Sequence, residues 1–87
     1  MKLTISTHAQ KQITKLPKTS QLIIAGKIRK LTSATIPNEE KLKGYKNFFR
    51  VRVGSYRIVY AKSTKEVEIV LVGHRKDIYK KLTKFFK

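Results

Sequence analysis

The first residues of the chain change from strand-like to helix-like spacing. Apolar and polar residues alternate over residues 2–6, which predicts a short first strand. Apolar residues then recur on one face of a helix, at Ala9, Ile13 and Leu16. Thr7, followed three residues later by Gln10, resembles a capping box and marks the predicted start of this helix. Pro17 ends the pattern, because proline cannot donate a backbone hydrogen bond inside a helix.

A second helix is predicted after Pro17, with Thr19 or Ser20 as its N-terminal cap. Its apolar face consists of Ile24, Ile28 and Leu31, and cationic side chains cover the rest of it: Lys27, Arg29 and Lys30. Because only a few residues join the two helices, we expect an antiparallel helical hairpin. Residues 32–47 have no apolar periodicity, so they are predicted to form a loop.

Two further strands are predicted to pair through a Gly54-Ser55 turn, a two-residue connection that favours a type II′ turn. This turn sets a register in which positions 53, 52, 51 and 50 face positions 56, 57, 58 and 59. Since side chains alternate along a strand, one face then carries only apolar and aromatic residues: Phe49, Val51, Val53, Tyr56, Ile58 and Tyr60. The opposite face carries Arg50, Arg52, Arg57 and Val59.

The last part of the chain predicts one strand and one helix. Residues 66–72 predict a strand whose C-terminal half is almost continuously apolar, which indicates a central position in the sheet, and Gly73 is predicted to end it. Asp77 can cap a short final helix with an apolar face of Ile78, Leu82 and Phe85. The whole pattern predicts one α+β domain over residues 1–87. It comprises an N-terminal strand, a helical hairpin, a three-stranded antiparallel meander that completes a four-stranded sheet, and a short C-terminal helix.

Charge changes this picture most. The chain contains 21 Lys and Arg residues against 5 Asp and Glu residues, which gives a formal net charge of +16. Such an excess predicts a polyanionic partner, either a nucleic acid, a membrane surface or an acidic protein. There is no cysteine, so a disulfide or a thiolate site is excluded. No segment reaches the roughly 20 apolar residues of a membrane span, and we expect a cytoplasmic protein.

The arginine face of the predicted hairpin has two interpretations. Arg52 and Arg57 face each other, and like charges in a cross-strand pair destabilise a sheet by up to about 1 kcal/mol. The face can be a solvated surface that keeps a basic protein soluble. It can also be an anion site, because the planar guanidinium group binds phosphate through two parallel hydrogen bonds.

Three motifs in the sequence resemble the RelE/ParE superfamily of bacterial and archaeal type II toxins. They are "LKG" at 42–44, "FRVRVGSYRIVY" at 49–60 and "VGHRKDIY" at 72–79. The resemblance extends over nearly the whole chain and implies the RelE-like fold. RelE-like members enter the ribosomal A site and cut mRNA, with the ribose 2′-hydroxyl as nucleophile and a cyclic phosphate as product. The resemblance therefore implies a ribosome-dependent endoribonuclease, silenced by a cognate antitoxin.

The resemblance also implies a set of catalytic residues. Arg50 and Arg52 lie where RelE itself has two strand lysines, and Arg57 matches the arginine of its "GYRLVY" strand. Arg75 and Tyr79 match an arginine and a tyrosine near its C-terminus. The change from lysine to arginine argues against proton transfer by residues 50 and 52, because a guanidinium group does not lose its proton in proteins.

Phosphoryl transfer to a 2′-hydroxyl needs a base, an acid and positive charge around the phosphate. Tyr79 is the candidate base, with the neighbouring arginines expected to lower its pKa from about 10. His74 is the candidate acid, unless Lys43 or Lys46 supplies the proton. The five acidic residues form no pair suited to a metal, so we expect catalysis without metal or cofactor. Further cations are predicted to bind RNA or the ribosome: Lys27, Arg29, Lys30, Lys43, Lys46 and Lys76.

Two other functions remain open at this point. A ParE-like toxin of the same fold would inhibit DNA gyrase through protein contacts, and a non-catalytic RNA-binding protein would need only the charge. The expected partners are an acidic antitoxin, the ribosome and mRNA, and no membrane. We expect the antitoxin to cover the basic surface with an amphipathic or extended segment.

Overall fold

The computed structural model describes residues 1–33 and 36–86, which form one sheet with helices on both of its faces. The strands are β1 (Lys2–Ile5), β2 (Glu40–Lys41), β3 (Phe48–Val53), β4 (Tyr56–Lys62) and β5 (Glu66–His74). The helices are α1 (Thr7–Thr14), α2 (Lys18–Lys30) and α3 (Ile78–Phe85). This α+β architecture confirms the predicted class and the predicted order of elements, to which β2 is an addition.

The sheet has five strands in the order β1-β5-β4-β3-β2. It is mixed, because β1 runs parallel to β5 while the other neighbouring strands are antiparallel. The prediction of four strands is wrong by one edge strand, β2, which lies within the segment 32–47 that the sequence predicts as a loop. Two residues are too few to show an alternating pattern, so no periodicity could reveal this strand. The central position predicted for β5 is confirmed.

Each face of the sheet covers a separate apolar core. The larger core lies between the sheet and the helices α1 and α2, and its buried residues are Ala9, Ile24, Ile28, Leu31, Val51, Val53, Ile58, Tyr60, Val67, Ile69 and Val72. The smaller core lies under α3, on the face that carries the arginines, and consists of Leu42, Val59, Val70, Leu71, Ile78 and Leu82. The two faces predicted for the β3–β4 hairpin are therefore confirmed.

A bulge in β5 lets this strand contribute to both cores. Val59 pairs with Leu71 and Tyr60 pairs with Ile69, so Val70 is an extra residue between the two pairs. Val70 and Leu71 consequently both join the smaller core, whereas Ile69 joins the larger one. A bulge of this kind moves successive side chains onto one face, which explains the continuous apolar run in the sequence.

The two N-terminal helices start earlier than the sequence predicts, α1 by one residue and α2 by two or three. Ser6, not Thr7, caps α1, and its hydroxyl accepts a hydrogen bond of 3.1 Å from the backbone N–H of Ala9. Helix α2 starts at Lys18 after Pro17, without the side-chain cap expected from Thr19 or Ser20. Pro17 ends α1 because it has no backbone N–H to donate. Its fixed φ suits the start of α2, which therefore begins without a side-chain cap.

The C-terminal region differs from the prediction at two positions. Strand β5 does not end at Gly73 but continues to His74, which still pairs with Tyr56 of β4. On α3, Phe85 is 42% exposed, and Phe86 packs against the smaller core instead. Asp77 precedes α3 as predicted, although its side chain makes no capping hydrogen bond. None of the helices in residues 1–33 and 36–86 is long and apolar enough to span a membrane.

Candidate functional site

The β3–β4 hairpin places three arginines on one face of the sheet. Gly54 has a φ of +58°, and Ser55 after it has no positive φ, as a type II′ turn requires. The predicted register is confirmed, with Arg52 opposite Arg57 and Arg50 opposite Val59. Because Val59 is buried beneath α3, the arginine side chains surround the edge of the smaller core.

These side chains line an open cavity of about 430 Å³, which we call the arginine cavity. Its lining residues come from four parts of the fold and are Asn38, Glu40, Arg50, Arg52, Gly54, Arg57 and Tyr79. The prediction that the three arginines share one side of the sheet with Tyr79 is therefore confirmed. Asn38 and Glu40 were not predicted at this site; β2 and the two residues before it bring them to the cavity.

Glu40 is the acidic residue of the arginine cavity. It pairs with Arg50 across β2 and β3, and its Oε2 atom accepts a hydrogen bond of 2.6 Å from Nη2 of Arg50. This hydrogen bond, together with the charge of Arg50, lowers the pKa of the Glu40 carboxyl. A usable signal was present in the sequence, because Glu39 and Glu40 are its one pair of adjacent acidic residues.

Tyr79 reaches the cavity from the first turn of α3. Its neighbour Ile78 is fully buried and Leu82 is nearly so, which anchors the helix, while Tyr79 itself is 56% exposed. The guanidinium carbon of Arg50 lies 5.3 Å from the centre of the Tyr79 ring, a cation–π distance. The guanidinium group of Arg50 thus contacts both the Tyr79 ring and the Glu40 carboxylate.

Arg57 is the most constrained of the three arginines. Its Nη1 atom donates hydrogen bonds to the carbonyl oxygens of Gly54, at 3.3 Å, and of Tyr56, at 3.0 Å. Burial lowers its pKa, and the charges of Arg52, Arg50 and Arg75 lower it further, while Glu40 acts in the opposite direction. The guanidinium groups around Arg57 therefore repel one another, and an anion bound between them would reduce this repulsion.

Arg75 and His74 are adjacent in the chain but lie in different surroundings. The backbone N–H of Arg75 donates to the carbonyl of Ser55 at 2.8 Å, which places Arg75 beside the turn and close enough to influence Arg57. His74 pairs with Tyr56, and their rings are 6.0 Å apart in an edge-on arrangement. Tyr56 packs on the larger core, so His74 lies on the face opposite to the arginines.

The prediction that His74 joins the arginines is therefore wrong. His74 lines a different cavity of about 790 Å³, together with residues of α1 and α3. The physical reason is that β5 continues through Gly73, so that the strand alternation still governs the direction of the His74 side chain.

The cations predicted to bind RNA or the ribosome do not form one patch. Lys43 lines a cavity of about 470 Å³ that shares Glu40, Arg50 and Tyr79 with the arginine cavity. Lys46 lies at the end of the hairpin opposite to the Gly54 turn, and Lys76 lies in the exposed turn after Arg75. The other three are on α2, which packs against the opposite face of the sheet: Lys27, Arg29 and Lys30.

The chemistry of the arginine cavity suits a phosphate group. The guanidinium groups supply positive charge and fixed donors, and the Glu40 carboxylate and the Tyr79 hydroxyl are able to exchange protons. No group of three His, Asp or Glu side chains placed to hold a metal ion occurs within the described part of the chain.

Comparisons with family models, curated proteins and solved structures all find toxins of type II toxin–antitoxin systems. The family model described as "ParE toxin of type II toxin-antitoxin system, parDE" matches residues 3–79. Toxin RelE3 of Methanocaldococcus jannaschii is 45% identical over 40 residues, which are 46% of this chain and 46% of that protein. The match thus spans less than half the length of this curated relative.

Solved structures share the fold over most of the chain. The isolated RelE toxin of E. coli has a TM-score of 0.70 and 25% identity, and the match covers 99% of this chain and 98% of that one. RelE in the RelB-RelE antitoxin-toxin complex of Methanococcus jannaschii has a TM-score of 0.68 and 29% identity, covering 88% and 95%. With the family model matching residues 3–79, the chain belongs to the RelE/ParE superfamily of type II toxin–antitoxin toxins.

Proposed function

We propose that this chain is an endoribonuclease toxin that cuts mRNA on the ribosome. The arginine cavity is the observation that carries this proposal, because it combines three guanidinium groups with a carboxylate and a phenol hydroxyl. A protein that acts through surface contacts alone has no chemical use for such an arrangement. The similarity to RelE toxins supports the same assignment.

The proposed reaction is attack of a ribose 2′-oxygen on the adjacent phosphorus. The O2′–P bond forms while the P–O5′ bond breaks, which leaves a 2′,3′-cyclic phosphate and a 5′-hydroxyl. A base of the cavity takes the proton of the 2′-hydroxyl, and an acid gives a proton to the departing O5′. Arg50, Arg52 and Arg57 stabilise the charge that develops on the phosphate oxygens, with Arg75 beside them.

Glu40 is the stronger candidate for the base. A tyrosine hydroxyl ionises near pH 10 in water, whereas a carboxylate is already ionised at neutral pH. Because Arg50 lowers its pKa, the Glu40 carboxylate is a weak base, but it is fully ionised at neutral pH. Tyr79 then serves as the acid, a role that His74 on the opposite face does not fill. The sequence-based alternative has Tyr79 as the base and, with His74 on the other face, Lys43 or Lys46 as the acid. Of these two lysines, Lys43 lines the adjoining cavity that shares Tyr79, and Lys46 lines a separate one.

Primer extension on mRNA from induced cells tests this proposal directly. We expect cuts inside translated codons with the wild-type chain, and loss of these cuts in Arg57→Ala and Tyr79→Phe. Lys65→Ala is the matched control, because Lys65 is an exposed cation in the β4–β5 turn, outside the arginine cavity. Cutting by Arg57→Ala at the wild-type rate would refute the proposed site. Purified programmed ribosomes would give the same comparison without other nucleases.

Inhibition of DNA gyrase is the second candidate, and the description of the matching family model favours it. This function predicts DNA damage in induced cells without cuts in translated mRNA. It also predicts equal toxicity of the wild-type chain and of Tyr79→Phe, since contacts with a protein target would not need the hydroxyl. The same induction experiment therefore separates the two candidates.

We further propose a cognate antitoxin and action in the cytoplasm, where translating ribosomes are found. The net charge of +16 favours an acidic partner, because opposite charge accelerates association and relieves the self-repulsion of the toxin. Relatives of this fold have been crystallised as complexes of RelE with RelB.

A further inference from the structure

Glu39 and Glu40 lie next to each other but contact opposite faces of the sheet. Glu40 faces the arginine cavity, where it binds Arg50. Glu39 contacts the other face, where its carboxylate accepts hydrogen bonds from the hydroxyl of Tyr60 and from Nζ of Lys62. Successive residues of an extended segment point in opposite directions, which produces this division. We call Glu39, Tyr60 and Lys62 the Glu39 cluster.

The Glu39 cluster is well formed and largely shielded from water. Nζ of Lys62 lies 2.9 Å from each carboxylate oxygen of Glu39, and it also lies 4.8 Å from the centre of the Phe49 ring. The side chains of Lys62 and Glu39 retain only 24% and 18% of their accessible surface. Tyr60 is fully buried, and its burial, with the hydrogen bond to Glu39, raises its pKa well above the ordinary value of 10. Tyr60 therefore remains a hydrogen-bond donor throughout the physiological range.

The segment that these contacts hold has few other constraints. Strand β2 has only two residues and pairs with β3 through two positions at the edge of the sheet. Just before it, Asn38 has a left-handed backbone with a φ of 62°, and Glu39 N–H makes a long bond of 3.4 Å to Ile36. Leu42, which follows β2, is buried in the smaller core and its N–H bonds to Phe48, so the C-terminal end of the segment is anchored. The residues before β2 depend more on their side-chain contacts, because few backbone hydrogen bonds hold them.

We propose that the Glu39 cluster positions the wall of the arginine cavity, so that Asn38 and Glu40 face the arginines from a fixed place. Tyr60 and Lys62 are positioning residues, since they act through Glu39 and lie on the face opposite to the cavity. The catalytic meaning of this device rests on the proposed function. The positioning itself does not, because it concerns only contacts within the toxin.

Lys62→Met tests the positioning without RNA. This change removes both hydrogen bonds from Lys62 to Glu39 but keeps an apolar side chain of similar length. We expect the pKa of the Glu40 carboxyl, measured by ¹³C NMR titration, to rise from its lowered value toward its ordinary value of 4.5. Lys62→Arg should keep it low, because a guanidinium group can replace the ammonium group. Lys65→Met is the matched control, a lysine of the same hairpin outside the cluster, and should leave it unchanged.

Tyr60→Phe is the second variant, because it removes only the hydroxyl from the cluster and should raise the same pKa. Denaturation curves identify the folded variants. An unchanged Glu40 pKa in a folded Lys62→Met or Tyr60→Phe protein would overturn the inference. On programmed ribosomes, we expect kcat of Lys62→Met to fall roughly 10- to 100-fold, with a smaller change in KM, as for a misplaced catalytic group. If the Glu40 pKa responds but the wild type does not cut RNA, the positioning stands and the proposed function fails.

Discussion

Charge at single residues explains how the arginine cavity can hold an anion. Arg57 has a lowered pKa because it is partly buried beside other guanidinium groups, and Glu40 offsets part of this repulsion through its contact with Arg50. A bound phosphate would bring the same kind of compensation, with oxygens in place of the Glu40 carboxylate. In the free protein, Glu40 thus supplies negative charge next to Arg50, as a bound anion also would.

Glu40→Gln should make stability depend less on pH. The pKa of Glu40 is lower in the folded chain than its ordinary value of 4.5, so ionised Glu40 stabilises the fold. This contribution is complete above the unfolded-state pKa and is lost as the pH falls through the lowered folded value. Urea denaturation at several pH values should show that the difference between wild type and Glu40→Gln, present at pH 7, shrinks in acid. A difference that stays constant with pH would contradict the ion pair.

Glu40→Gln and Tyr79→Phe should also separate the two assignments of the base. If Glu40 takes the proton, the rate of RNA cutting is flat from about pH 5 upward, and Glu40→Gln lowers it by roughly 10²- to 10⁴-fold. We expect this result. A rate that increases steadily with pH toward about 10, and that loses this increase in Tyr79→Phe, would assign the base to Tyr79 instead. Single-turnover cutting on programmed ribosomes is the appropriate measurement.

At the level of elements, the arginine face makes the β3–β4 hairpin less stable. Arg52 and Arg57 are direct cross-strand neighbours, and such a pair of like charges weakens a sheet. The hairpin tolerates this because its other face is buried, with Val51 and Ile58 fully inaccessible to water. Burial of the opposite face thus offsets the repulsion between the two arginines.

Arg52→Thr should stabilise the free protein while it weakens RNA binding. Replacing one arginine by a β-branched residue removes the like-charge pair and should raise the free energy of unfolding by about 0.2–1 kcal/mol. Lys65→Thr is the control and should change it by less than about 0.5 kcal/mol. Chemical denaturation at low salt gives both values. A loss of stability in Arg52→Thr would show that Arg52 makes compensating contacts.

At the scale of the whole molecule, positive charge is present on both faces of the sheet. The arginine cavity lies on only one of these faces, the one beneath α3. Helix α2 carries Lys27, Arg29 and Lys30 on the far side, while the arginine cavity opens beside α3. Long-range attraction of a polyanion needs only the total charge, whereas binding at a defined position needs the cavity. Affinity and chemistry are therefore expected to respond differently to salt and to mutation.

Binding of single-stranded RNA should weaken steeply as salt increases. Each phosphate that the protein neutralises contributes a slope of roughly 0.7 when the logarithm of affinity is plotted against the logarithm of salt concentration. Arg57→Ala should reduce the slope by about one such unit, and Lys65→Ala should leave it close to that of the wild type. Fluorescence anisotropy over a range of salt concentrations gives the slopes. A flat response of the wild type would argue against a polyanionic ligand.

The register of the hairpin was predictable because a two-residue turn allows one pairing, and that pairing places Arg50, Arg52 and Arg57 together. Strand β2 was not predictable, because it is too short to leave a pattern, and with it Glu40 was missed. His74 was predicted on the wrong face because Gly73 is typical of a strand end. In the structure, pairing with β4 extends the strand to His74.

The sequence by itself determined which side chains of the β3–β4 hairpin share a face, the positions of most helices and strands, and the strongly basic character of the protein. These properties depend on short-range spacing and on composition, which no tertiary contact alters. Only the tertiary structure decided that Glu40 meets Arg50, that Tyr79 reaches the same cavity, and that His74 does not. The first contact depends on the pairing of β2 with β3, and the others depend on α3 and β5, which lie far from the hairpin turn in the chain and are positioned by packing of the two cores.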